Sequence, residues 1–109
     1  MADATYKRGD TAPPLLVRLT WHNGQAIDLA GATVVFTLRE RTTRQTPVLR
    51  RPVVVAQAAQ GLVRVDWQPG DLAEVGEYDG EFEVQLPTGH IVSVPSDRYL
   101  RIVVVPDLG

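Results

Sequence analysis

Residues 77–86 read EYDGEFEVQL. Glu77, Asp79, Glu81, Glu83 and Gln85 alternate with Tyr78, Gly80, Phe82, Val84 and Leu86. A strand sends successive side chains to opposite faces. The stretch therefore predicts a strand with an apolar face turned inward and an acidic face turned outward. No other segment states its period so cleanly, and none shows a helical one.

Working outward, the same period recurs on both sides. Residues 15–21, LLVRLTW, put Leu15, Val17, Leu19 and Trp21 on one face and Arg18 and Thr20 on the other. Asn23-Gly24 follows, a strong hairpin signal because both residues tolerate positive φ, and residues 26–29 are expected to return as a short strand. Residues 33–39 point Val34, Phe36 and Leu38 inward, and residues 40–47 are polar and close on Pro47, as an exposed loop does. Residues 48–56 are β-branched and apolar but interrupted by Pro52, which suits an edge strand or a strand start. Residues 61–67 bury Val63, Val65 and Trp67. Asp71 is placed to cap one helical turn over residues 71–75. Thr88-Gly89 turns into residues 90–94, and residues 99–105 make the last strand.

Seven or eight short strands separated by turn residues predict an all-β antiparallel sandwich, Ig-like in architecture, with a small β-barrel as the alternative. The 109 residues, 44% of them hydrophobic, suffice for one domain over 1–109 with its own core, entered by an N-terminal arm over residues 1–12. There is no cysteine, hence no disulfide framework and no thiolate chemistry. The first residues are too polar for a signal peptide, and no apolar run approaches the ~20 residues that span a bilayer.

The net charge of −2 conceals an asymmetry. Residues 39–51 carry Arg39, Arg41, Arg44, Arg50 and Arg51 against Glu40 alone; residues 66–83 carry seven carboxylates and no cation. Such a pattern forms either two solvated faces or two complementary poles that meet between copies of the chain. The nine interaction candidates are the five arginines together with Glu77, Asp79, Glu81 and Glu83.

Catalytic constellations are not found. His22 and His90 lack partners at metal-ligand spacing. His90, Ser93, Ser96 and Asp97 are close in sequence, but triads are a matter of geometry. The acidic strand reads as a sheet face before it reads as a calcium site or a carboxylate pair. The arginine segment has no aromatic residue to stack bases, and the chain is slightly acidic, which argues against a nucleic-acid partner. Arg8-Gly9-Asp10 has the letters of an adhesion signal, yet Gly9 and Asp10 precede proline and the first core strand, where a turn is needed. Gly9, Asp10, Asn23 and Gly24 are accordingly read as structural turn residues. Trp21 and Trp67 both fall on inward faces.

Several spaced features together resemble a known family. They are Arg8-Gly9-Asp10-Thr11 before Pro14-Leu15; Asp28-Leu29-Ala30-Gly31-Ala32-Thr33-Val34 running into Phe36; Gly61-Leu62-Val63 with Trp67; Gly70-Asp71-Leu72; and residues 76–89 followed by residues 95–104. The ordered set is similar to the N-terminal domain of the baseplate upper protein of tailed bacteriophages. That resemblance implies a non-enzymatic structural component of a virion tail or baseplate, made in the host cytoplasm. It also implies no cofactor, a homo-oligomeric habit, and other tail or baseplate proteins as partners rather than nucleic acid or membrane. The alternative is a carbohydrate-binding or adhesive Ig-like module that recognises a cell surface, which calls for exposed aromatic residues around a concave patch.

Overall fold

The computed structural model describes residues 2–108. They form nine strands: β1 (Ala4–Lys7), β2 (Leu15–Arg18), β3 (Thr33–Glu40), β4 (Val48–Pro52), β5 (Val54–Gln57), β6 (Leu62–Val65), β7 (Gly76–Gln85), β8 (Ile91–Val94) and β9 (Leu100–Val105). The larger sheet runs β1-β9-β7-β3-β4, with β8 also on β7; the smaller runs β2-β6-β5. Both are open, so the molecule is a sandwich and not a barrel. It measures 46 × 24 × 22 Å.

β7 is the spine of the larger sheet. Along its full length it pairs antiparallel with β3, from Thr33 opposite Gln85 to Glu40 opposite Tyr78. Its other flank is shared: Gly76–Gly80 face β9, and Phe82–Gln85 face β8. The alternation read from residues 77–86 holds, with Tyr78, Gly80, Phe82 and Val84 buried. Phe36 packs on Phe82 with ring centroids 4.8 Å apart and meets Trp67 edge-on at 6.1 Å. Gly80 makes room for this contact, since a Cβ there would lie 3.1 Å from the Phe36 ring.

Several expectations are corrected. Residues 48–56 are two strands in different sheets: β4 pairs with β3, and β5 pairs with β6. Pro52, which cannot donate to a ladder, stands where the chain leaves one sheet for the other. Residues 26–29 make no return strand beyond the single Thr20–Ala26 bridge. Ile27 and Leu29 are buried, but their N–H groups go to the Leu19 and Ala58 carbonyls. That route runs against Gly61, whose φ is +67° and whose Cβ, were there one, would lie 2.5 Å from the Leu19 oxygen. Residues 71–75 hold no helical turn. The Asp71 carboxylate accepts the N–H of Gln68 behind it instead of capping residues ahead of it.

Trp21 is the sharpest correction. Alternation placed it inward, yet it is 36% exposed, while Trp67 is 5% exposed. β2 ends at Arg18, and the chain turns before the period can reach position 21. There Trp21 donates its N–H to Gln25 and accepts that of Gly24, so it belongs to the Asn23-Gly24 turn and not to a strand face. At the other edge, β1 lies parallel to β9 and buries Tyr6, tying residues 4–7 to their own sheet.

Candidate functional site

Most of the charged residues singled out by sequence meet on the outer face of the larger sheet. The register sets Arg39 opposite Asp79, and Asp79 in turn opposite Arg101 on β9. Thr37 stands opposite Glu81. On β4 a bulge lets Leu49 and Arg50 together oppose Thr37, because Phe36 pairs with Arg51 and Leu38 with Val48. Bulges re-aim side chains. Arg50 takes a left-handed φ of +47°, donates its N–H to Thr37 Oγ1 and swings its guanidinium onto Glu83 with two 3.0 Å hydrogen bonds. Those bonds hold the Glu83 carboxyl below its ordinary value and raise Arg50 above its own. Arg41 reaches Asp79 at 3.5 Å, and Arg101 reaches Glu77 at 4.0 Å.

The arginine and acidic segments therefore first meet within one chain. Among the described residues, Arg39, Arg44 and Glu81 make no ion pair. They line a shallow hollow of about 290 Å³ together with Leu49 and Tyr99, which are 68% and 56% exposed. Leu49 and Tyr99 escaped the sequence reading. Leu49 lies in an apolar run, but it follows buried Val48 and so faces outward, and the bulge sets Arg50 on the same face beside it. Alternation counts Tyr99 as the first residue of the last strand, but that strand begins one position later.

Arg51 does not join this face. It points the other way and makes a bidentate pair with Asp71 at 2.6 and 2.8 Å, with Asp71 nearly buried. This contact pins residues 68–71 to β4. Glu40, at the end of β3, is also nearly buried and folds back to accept the N–H groups of Thr42 and Thr43. The Thr43 N–H foremost holds its carboxyl below the ordinary 4.5.

Arg8-Gly9-Asp10 closes β1. Gly9 has φ +85° and donates to the Leu72 carbonyl; Asp10 donates back to Lys7, and its carboxylate faces the Lys7 N–H. Arg8 pairs with Asp107 at 2.8 Å. At the Asn23-Gly24 turn, Gly24 has φ +87° and Asn23 Oδ1 accepts the Gln25 N–H.

A second concavity of about 310 Å³ opens between the free edge of β2 and the connection over residues 95–99. Trp21 and His22 line one side of it, Ser96, Asp97 and Arg98 the other. Among the described residues, no three His, Cys, Asp or Glu side chains converge as metal ligands, and no helix is long and apolar enough to cross a membrane.

Comparison with known proteins bears on this geometry in two ways. A family model described as the BppU N-terminal domain matches residues 5–98. The solved structure of CopC from Methylosinus trichosporium OB3b superposes with a TM-score of 0.58, over all of this chain and 89% of that one. At 16% identity that likeness speaks to the fold alone. No curated protein matches the sequence.

Proposed function

Since the chain belongs to the BppU N-terminal domain family, a structural domain of the phage baseplate, we propose that it is a non-enzymatic tail or baseplate component that joins neighbouring virion proteins and copies of itself. The family match over residues 5–98 carries this reading. The proposed contact is the outer face of the larger sheet. Arg39, Arg44 and Glu81 leave charges of both signs uncompensated beside exposed Leu49 and Tyr99. A patch with both signs suits an isologous contact, in which Arg39 or Arg44 of one copy faces Glu81 of the other and the two apolar side chains are covered between them.

Light scattering at low ionic strength tests this. Self-association is expected, weakened by salt and by Glu81→Arg, and restored when Glu81→Arg is mixed with a double Arg39→Glu, Arg44→Glu variant. A clean monomer at high concentration and low salt overturns self-assembly through this face. Recognition of a cell-surface carbohydrate is the second reading. It asks for an accessible aromatic ring over a concave patch, and the exposure of Trp21 is the observation that favours it.

A further inference from the structure

We propose that the cleft between β2 and residues 95–99 binds a neutral saccharide, with Trp21 as the stacking platform. The proposal rests on the second reading above and assigns it a site.

The cleft follows from the unequal sizes of the two sheets. Three strands face six, and the concavity lies beside the free edge of β2. Phe82, Val94 and Leu100 are buried beneath it and close it toward the core, so its accessible apolar surface comes from Trp21, Val17 and Pro95. Ordinarily a tryptophan supplied at such a place would fall in and seal it, as Trp67 does within the core. Trp21 stays 36% exposed because the turn at Asn23-Gly24 holds its backbone through the Gln25 and Gly24 hydrogen bonds. Trp21 thus lines the concavity together with His22, Ser96 and Asp97.

The chemistry selects the ligand class. A sugar ring offers a face of C–H groups and a rim of hydroxyls that both donate and accept. An indole face answers the first, and a mixed set of Ser, His and carboxylate groups answers the second. Pockets of this make-up, apolar with a few convergent polar groups, are the usual form of small-ligand sites. Charge argues for a neutral ligand. Arg98 is held by Asp3 at 3.1 Å and by the Tyr99 carbonyl at 3.1 Å, so its charge is already matched. What remains is Arg18 against Asp97, one cation and one anion.

The test is calorimetric titration of the full chain with methyl glycosides of glucose, galactose, rhamnose and N-acetylglucosamine and their short oligomers, beside a glycan array. At least one sugar is expected to bind saturably, with Kd on the order of 1 mM for a monosaccharide. Because Trp67 is buried, the accompanying tryptophan fluorescence change should come from Trp21. Trp21→Ala should weaken binding about tenfold or more, while Trp21→Phe, which keeps a ring, should lose less; circular dichroism of both variants checks the fold. If the array shows a sugar bound equally well by wild type and Trp21→Ala, the saccharide reading survives and this site is overturned. If the wild type binds no sugar in either format, both fall.

Discussion

Arg50 and Arg51 are neighbours on one strand, and both grip a carboxylate with two hydrogen bonds, yet they belong to different physical regimes. The Arg50–Glu83 pair lies on the outer face, with the arginine side chain 58% exposed. The Arg51–Asp71 pair is turned inward, with Asp71 only 5% exposed, and the same carboxylate also takes the Gln68 N–H. Water competes for every hydrogen bond of the first pair and for few of the second. An exposed pair contributes little net stability. A buried pair contributes little over an apolar replacement, but breaking it strands an uncompensated charge. The two contacts look alike in distance and differ in what their loss would leave behind.

Removing one partner of the inner pair should have the largest effect. Asp71→Ala is expected to cost about 2 kcal/mol in urea unfolding, because the partly buried Arg51 loses its partner and Gln68 loses its acceptor. Replacing both partners, Arg51→Met with Asp71→Leu, should recover most of that loss. If the double variant is as unstable as Asp71→Ala, the stranded-charge account fails, and the loop over residues 68–71 depends on the Gln68 bond alone.

Glu40 supplies an intermediate case, a nearly buried carboxylate held by backbone N–H groups and no cation. Its carboxyl lies below the ordinary 4.5, so the stability it contributes is fully present above that value and is lost as pH falls through its folded-state value. Glu40→Gln, which mimics the protonated form, should be less stable than wild type at pH 7. The gap should narrow as the pH is lowered below 4.5. A gap that stays constant across the series would mean that shape, not charge, makes the Thr42 and Thr43 contacts.

Least affected should be Glu83→Gln. Its thermal midpoint is expected to stay close to that of wild type, with any difference vanishing in 1 M salt, where the Debye length is about 3 Å. A large, salt-insensitive loss would make the outer pair as structural as the inner one and would weaken the case that this face is free to meet a partner.

The strand pattern was legible wherever a strand had one wet face and one dry face. Residues 77–86 and 33–39 declared their inward side chains, and the turn at Asn23-Gly24 declared itself through its backbone demands. The candidate site was legible as a list of charges but not as an arrangement. Nothing local in Arg50 and Arg51 distinguishes an exposed contact from a buried one. That difference comes from the bulge, which inserts one residue into β4 and reverses the parity on which any alternation argument depends. Trp21 departs from its expected place for a different reason: alternation does not extend three residues beyond Arg18, where the strand ends.

By itself, then, the sequence determined the all-β class, the inward faces of the long strands, the turns and the family, because these rest on side-chain period and on the φ that single residues tolerate. Only the tertiary structure decided which charges neutralise one another inside the chain and where Leu49 and Tyr99 come to the surface. It also decided that a tryptophan should stand at an open cleft. Those outcomes depend on register, on the sheet switch at Pro52 and on three strands covering six. All of these are relations between segments distant in the chain, and no local pattern encodes them.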